Sequence, residues 1–191
     1  NKVFFMSNTD GYDFIIIGAG SGGVRAARIA AGFGAKVALI ENRFFGGTCV
    51  NVGCVPKKLF SYAAQTPAEA KLAGSYGFDV NIENFDWPTL RDNKTKEIER
   101  LNGIYVRMLE NANVKIYEGH GKITGAQQVT VNGEQLHGQH ILIATGGKPY
   151  KPSIPGIEHA LISDDLFYLP ELPKRAAIVG GGFIACEYAS I

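Results

Sequence analysis

The sequence predicts an α/β chain: a Rossmann-like domain whose parallel sheet carries a small antiparallel β-meander, followed by the truncated start of a second Rossmann-like domain. Three observations predict it. Residues 12–41 read as strand, glycine turn, helix, strand. Residues 113–138 break into short strand-like runs around Asn132-Gly133, and residues 176–189 repeat the opening plan. Strands alternating with helices are laid down parallel, whereas short runs joined by tight turns pair antiparallel.

Taken in order, "YDFIII" (12–17) is rich in β-branched and aromatic residues, "GAGSGG" follows directly, and the alanine-rich "VRAARIAAGFG" reads as helix. Gly32 and Gly34 stop that helix, and "AKVALIE" forms a second strand ending in Glu41. A helix is expected from about Val52 to Gln65, with Pro67 helping to end it. From Asp86, the apolar residues Trp87, Leu90, Ile98, Leu101, Ile104, Tyr105, Met108 and Leu109 recur mostly at three- and four-residue steps, with Pro88 in the first turn. They predict a long amphipathic helix. "NVKIYEGHGKI", "QQVTV" and "EQLHG" read as short strands, with a type I′ hairpin at Asn132-Gly133, and "HILIATGG" as a buried strand entering a glycine turn. The proline-rich "KPYKPSIPGIEH" has the character of an interdomain connection. The expected domains are 11–147 and 173–191, with 148–172 as linker.

Composition narrows the function classes. The 191 residues are 46% hydrophobic, and 19 Lys and Arg against 18 Asp and Glu leave a formal net charge of +1. No basic run offers a footprint for a phosphate backbone, so nucleic acid is not an expected partner. The most apolar runs fall far short of the roughly twenty residues that span a bilayer, and "NKVFFMSNTDGYD" lacks the apolar core of a secretory signal. No membrane is expected. Met6 is a candidate natural start, and the chain closes on Ile191 within a helix-like stretch. Three cysteines are too few, and odd in number, for a secreted disulfide scaffold, which points to a cytoplasmic location.

Gly18, Gly20 and Gly23 match G-x-G-x-x-G between a strand and a helix. Such a turn lets the backbone approach a pyrophosphate while amides at the helix start bind its charge. Glu41, at the end of the second strand, stands where an acid accepts hydrogen bonds from an adenosine ribose. A carboxylate there suits the free 2′-hydroxyl of FAD or NAD and repels the extra phosphate of NADP. A second set, Gly180, Gly182 and Ala185, follows "AAIV". Its specificity-setting residue is expected about twenty positions on, past Ile191.

Cys49 and Cys54 lie five residues apart in "GGTCVNVGCVPKK". On a regular helix they would point about 140° apart, too divergent for a disulfide. Bonding therefore needs a distorted segment, for which Gly46, Gly47 and Gly53 supply backbone freedom. A helix start near Lys57 and Lys58 favours the thiolate that exchange chemistry needs. Zinc and other metal sites are not expected, because no second ligand pair follows at the right spacing. Two merely buried thiols remain the bland alternative, but a disulfide-capable pair directly after a dinucleotide fingerprint implies electron transfer between flavin and sulfur.

"GAGSGG", "GGTCVNVGCVPKK", "HILIATGG" and "VGGGFIACEYAS" together resemble the flavoprotein disulfide reductases, and among them most the glutathione reductases. The resemblance implies that Cys54 is the flavin-side thiol and Cys49 the interchange thiol that attacks substrate. It implies that Lys57 sits by the reactive flavin edge and pairs with Glu187. It places Ser21, Gly22, Thr48, Gly121, Thr145 and Gly146 around FAD. By the same resemblance, Phe183 and Ile184 join Gly180 and Gly182 around NADP, with NAD as the alternative, and Phe183 stands where glutathione reductases carry a gating tyrosine. Lys57 replaces the serine usual in lipoamide dehydrogenases and mercuric reductases. Arg28 falls where glutathione reductases hold a substrate carboxylate, and Ser21 and Tyr105 line the same substrate site. Cys186 matches no redox position and is expected to be a small buried side chain.

The implied activity is reduction of glutathione disulfide by NAD(P)H through FAD and the Cys49-Cys54 disulfide. The implied assembly is a homodimer formed through a C-terminal domain outside this chain, with a partner-subunit histidine as general acid. None of His120, His137, His140 or His159 stands in a matching motif. The alternatives are a sibling reductase of the trypanothione, mycothione, lipoamide or mercuric type, or a flavin-binding fragment without turnover.

Overall fold

The computed structural model describes residues 11–191; the readings that rest on residues 1–10, Met6 among them, lie outside these. The chain divides into two compact units, one comprising residues up to Asn51 together with Glu99–Lys148, the other Val52–Ile98 with Pro149–Ile191.

The first unit is built on one six-stranded sheet. β1 (Tyr12–Ile17), β2 (Val37–Glu41), β3 (Lys115–Glu118), β4 (Lys122–Gly125), β5 (Gln128–Val131) and β6 (Glu134–Ile143) lie in the order β3-β2-β1-β6-β5-β4. β3, β2, β1 and β6 run parallel, and β5 and β4 add antiparallel. The expected parallel sheet with its meander is present, but the two are fused. β6 is a single ten-residue strand: its first residues, from Glu134 to His137, pair with β5, and Gly138 to Ile143 pair with β1. One continuous strand thus covers what read as the two runs "EQLHG" and "HILIATGG". The turn into it carries positive φ at both Asn132 (51°) and Gly133 (83°), as a type I′ hairpin requires.

Alternation along the strands divides the core between the two faces of the sheet. Ile16, Val37 and Leu39 face α1 (Ser21–Gly32), through Val24 and Ala27, and join Leu109 and Val114. Ile15, Ile17, Ala38 and Ile40 form the other cluster with Val129, Val131 and Leu136 of the meander. A short helix, α2 (Gly47–Asn51), follows β2.

The second unit contains α3 (Cys54–Ala73), the first half of α4 (Trp87–Glu110), a 3-10 turn at Asp165–Tyr168, and α5 (Phe183–Ala189). Asp86 caps α4 by accepting the Thr89 amide at 2.9 Å, and a hydrogen bond from the Thr89 side chain, followed by that amide, holds its carboxyl below the ordinary value. α3 differs from expectation at both ends. It begins at Cys54 rather than Val52 and runs through Pro67 to Ala73. Pro67 is solvent-exposed, so the carbonyl that loses its N–H partner there can be hydrated and the helix continues. The expected strand at 176–179 is not formed, and Val179 is 92% exposed. A strand exists through hydrogen bonds to a neighbour, and among the described residues this unit contains no other strand.

Aromatic rings hold the second unit together. Phe60 lies 5.2 Å from Trp87 and 5.6 Å from Phe167, and Phe167 lies 5.7 Å from Tyr188. Trp87 donates its indole N–H to the Leu169 carbonyl at 2.9 Å. One turn further along α4, Arg91 reaches the Pro170 carbonyl at 3.2 Å. Lys94, on the same face of that helix, is buried with its ammonium 4.0 Å from the Tyr168 ring centre and 3.1 Å from the Thr95 hydroxyl.

Burial, with a smaller contribution from the Arg91 charge, pushes the Lys94 ammonium down to about 8 from an ordinary 10.5, against the opposing effect of Asp92. The unfolded chain therefore holds this proton more tightly than the folded one. The penalty is fully present below pH 8 and is shed as pH rises toward 10.5. Lys94→Met is accordingly expected to raise stability at pH 7 by about 1–2 kcal/mol. Urea unfolding at pH 7 and pH 10 checks this: the gap between variant and native midpoints should narrow at the higher pH, and a constant gap would refute the assignment.

Candidate functional site

The glycine turn lies at the carboxyl ends of the parallel strands, where the order reverses between β1 and β6. That is the place at which doubly wound sheets bind ligands. Gly18 has φ of 111°, and a Cβ on Gly23 would overlap the carbonyl oxygen of Gly18. Side chains are thus excluded where the helix start doubles back on the strand end. Gly22, by contrast, meets nothing within 4 Å, so that side of the turn is open. α1 has no acidic residue in its first turn, and its N-cap Gly20 supplies no side-chain acceptor. Its leading amides are left to an anion.

Glu41 ties the turn to β2. One carboxylate oxygen accepts the Ala19 amide at 2.6 Å, and the other accepts those of Asn42 at 2.9 Å and Arg43 at 2.7 Å. The carboxylate also lines a cavity of about 290 Å³ with Asn42, Arg43, Phe45, Glu118 and Gly119. The oxygen that accepts only the Ala19 amide retains a lone pair, which suits a ribose hydroxyl. Gly121 packs against Ile17 and Ile40 at the ends of β1 and β2. Thr145 and Gly146 follow directly on β6, where the Ala144 amide bonds the Ile17 carbonyl at 2.8 Å. The residues of this unit expected around a dinucleotide are therefore gathered at one end of the sheet.

α2 packs onto the same turn. Gly46 donates its amide to the Ala19 carbonyl at 2.8 Å, and a Cβ on Gly47 would come within 2.6 Å of the Gly20 Cα. That contact places Thr48 and Cys49, both on α2, beside the glycine loop. Asn51, which the sequence reading missed, brackets the helix. It is 2% exposed, and its amide nitrogen donates to the carbonyls of Phe45 at 3.0 Å and Gly47 at 2.9 Å. Its oxygen accepts from Asn102 on α4 at 2.9 Å. The only advance signal was an asparagine between two cysteines.

Ser21 and Arg28 are both exposed and lie two turns apart on one face of α1. Tyr105, on α4, is partly buried against the core beneath that helix.

In the second unit, Cys54 is the exposed first residue of α3. The N-cap Gly53, at φ −148° and ψ −114°, breaks the helical path between α2 and α3. A break in the helical path thus falls between the two cysteines, and Cys54 carries an exposed thiol. One turn into α3, Lys57 meets Glu187 of α5 at 2.6 Å, across 130 residues of sequence. Lys58 is exposed and lies over the Tyr62 ring at 4.7 Å. Gly182 caps α5, and Phe183 and Ile184 are exposed at its start. Cys186 corrects an expectation: it is exposed, because α5 has no buried residue and no strand lies beside it among the described residues. No group of three or more His, Cys, Asp or Glu among the described residues could hold a metal ion, and no helix among them is long and apolar enough to cross a membrane.

A family model described as pyridine nucleotide-disulphide oxidoreductase matches residues 12–191. The chain belongs to this family. A glutathione reductase of Burkholderia cepacia is 51% identical over 180 residues, covering 94% of this chain and 40% of the relative. The chloroplastic/mitochondrial glutathione reductase of Pisum sativum is 47% identical, covering 94% of this chain and 35% of its own length. A solved copper(II) complex of the HOCl-induced flavoprotein disulfide reductase RclA from Escherichia coli superposes with a TM-score of 0.78 at 30% identity, over 92% of this chain and 38% of that one. The chain thus spans about two fifths of the length of the relatives it matches.

The Asn51 bracket carries a definite expectation. Asn51→Ala deletes the three part-buried hydrogen bonds that Asn51 makes to Phe45, Gly47 and Asn102. The expected loss is about 1–3 kcal/mol, measured by urea unfolding; a change within experimental error would show that α2 is held by other means.

Proposed function

We propose that this chain forms the flavin-binding, thiol-bearing part of an FAD-dependent disulfide reductase that passes electrons from NAD(P)H to glutathione disulfide. The observation that carries the reading is the seating of α2 on the glycine turn through Gly47 and Gly20, which puts a cysteine of the pair beside a dinucleotide site. The resemblance to glutathione reductases of Burkholderia cepacia and Pisum sativum supports the substrate. Glu41 favours FAD at the first site, and NADP is assigned to the second glycine set, with NAD as the alternative. We assign the whole protein to the cytoplasm as a homodimer.

The residues present fit FAD: an open turn, an uncapped helix start and a fixed carboxylate meet at one strand end. When bound, FAD supplies the two-electron relay between the nicotinamide and the protein disulfide. Starting from the dithiol, the Cys49 thiolate attacks one sulfur of glutathione disulfide, forming a mixed disulfide and expelling one glutathione thiolate. Cys54 then attacks the Cys49 sulfur, expelling the second glutathione and leaving the Cys49-Cys54 disulfide. Two electrons from NAD(P)H return the pair to thiols. A general acid from outside this chain protonates the leaving glutathione. Gly53 lets the backbone change direction between the two cysteines, and the Lys57 ammonium, oriented by Glu187, would supply positive charge to the cofactor. Arg28 and Ser21, on one exposed face of α1, bind the substrate's carboxylate end.

The two cysteine roles separate by trapping. In the complete enzyme, Cys54→Ser exposed to glutathione disulfide should accumulate a mixed disulfide on Cys49, identified by peptide mass spectrometry, whereas Cys49→Ser should accumulate none on Cys54. The reverse pattern would exchange the roles.

Arg28→Ala in the complete enzyme should raise KM for glutathione disulfide about ten- to a hundredfold, the scale of one lost charge-assisted hydrogen bond. Steady-state kinetics read this directly, and an unchanged KM would return the substrate to the sibling reductases.

A further inference from the structure

The Lys57–Glu187 pair joins two helices, yet it is poorly equipped to hold them. Its side chains are 25% and 43% exposed, and an ion pair so open to water contributes little of its own geometry. α5 brings no buried residue to the task and is only seven residues long. Something else must place Glu187 opposite Lys57.

The fully buried Phe167, on the 3-10 turn, supplies the link. On one side its ring meets Phe60 at 5.6 Å. Phe60 lies three residues after Lys57, on the same side of α3, is 3% exposed, and is itself backed by Trp87. On the other side Phe167 meets the Tyr188 ring edge-on at 5.7 Å, and Tyr188 directly follows Glu187. Tyr188 is half-buried: desolvation first, and then the Asp164 charge, push its phenol upward. Each helix therefore presents one aromatic ring to Phe167 and one charged group to the other helix. Edge-on and tilted ring pairs have defined geometry and are fully effective when dry, whereas the ion pair is directional but solvated.

We propose that Phe167 is a positioning residue for the Lys57 ammonium, acting through the Phe60 and Tyr188 rings to hold Glu187 within hydrogen-bonding distance of it. The functional consequence rests on the reading that Lys57 serves the redox site; the positioning itself does not.

The test is trace acetylation of the complete, FAD-loaded enzyme with acetic anhydride, read as the ratio of Lys57 to Lys58 labelling by peptide mass spectrometry. Lys58 is the internal reference on the same helix. Phe167→Ala should raise the ratio about two- to fivefold, the scale of one part-exposed ion pair, matching the rise in Glu187→Gln. In the Glu187→Gln background it should add nothing further, because both changes remove one interaction. Phe167→Leu, which retains buried bulk, should keep most of the protection. An unchanged ratio in Phe167→Ala, or additive effects in the double variant, would overturn the proposal. Should Phe167→Ala fail to fold, Tyr188→Leu decides in its place: the same rise supports the link, and no rise refutes it. Disulfide reductase turnover in Glu187→Gln reports separately on the functional reading, since unaltered turnover would discard the role of the pair while leaving its positioning by Phe167 intact.

Discussion

Close backbone approach at the end of β1 is the constraint on which the first unit depends. Gly23 lies against the Gly18 carbonyl and Gly47 against the Gly20 Cα. Without these contacts α1 could not begin so near the strand end, nor could α2 rest on the turn. The same turn offers its Ala19 amide to Glu41 and its Ala19 carbonyl to Gly46. One short loop thus organises the second strand, the first helix and the cysteine-bearing helix. Glycine is required for a steric reason that stands apart from any ligand, although the space left open is what a pyrophosphate needs.

The two units hold Cys49 and Lys57 by different physics. Around Cys49 the fastening is polar: the buried Asn51 satisfies two carbonyls and one amide through part-buried hydrogen bonds. Such a bracket is worth most where solvent cannot compete for it. Around Lys57 the charged contact is half-exposed and the fastening is apolar, through Phe60, Phe167 and Tyr188. A charged side chain keeps its head near water, so its placement falls to the dry side of the helices that bear it.

Where the sequence reading departed from the structure, the departures share a cause. Pro67 was read as a stop, but a proline on an exposed helix face surrenders one hydrogen bond to water and the helix continues. "AAIV" was read as a strand from its apolar run, and Cys186 as buried because it matches no redox position; no strand accompanies them among the described residues of that unit, and both are exposed. "EQLHG" and "HILIATGG" merged into β6, since a strand can change partners along its length without interrupting its own alternation. Asn51 was missed because a single asparagine carries no periodicity.

The sequence by itself determined the βαβ opening, the glycine turn, the amphipathic α4 and the type I′ hairpin. All of these rest on local rules: the period of apolar residues, the sterics of glycine, and spacing within a few turns. Only the tertiary structure decided that Lys57 meets Glu187 across 130 residues, that Asn51 reaches Asn102, and that Phe167 lies between Phe60 and Tyr188. Those contacts join segments distant in the chain. Their partners are chosen by how buried faces pack, and no residue's immediate neighbours in sequence record that choice.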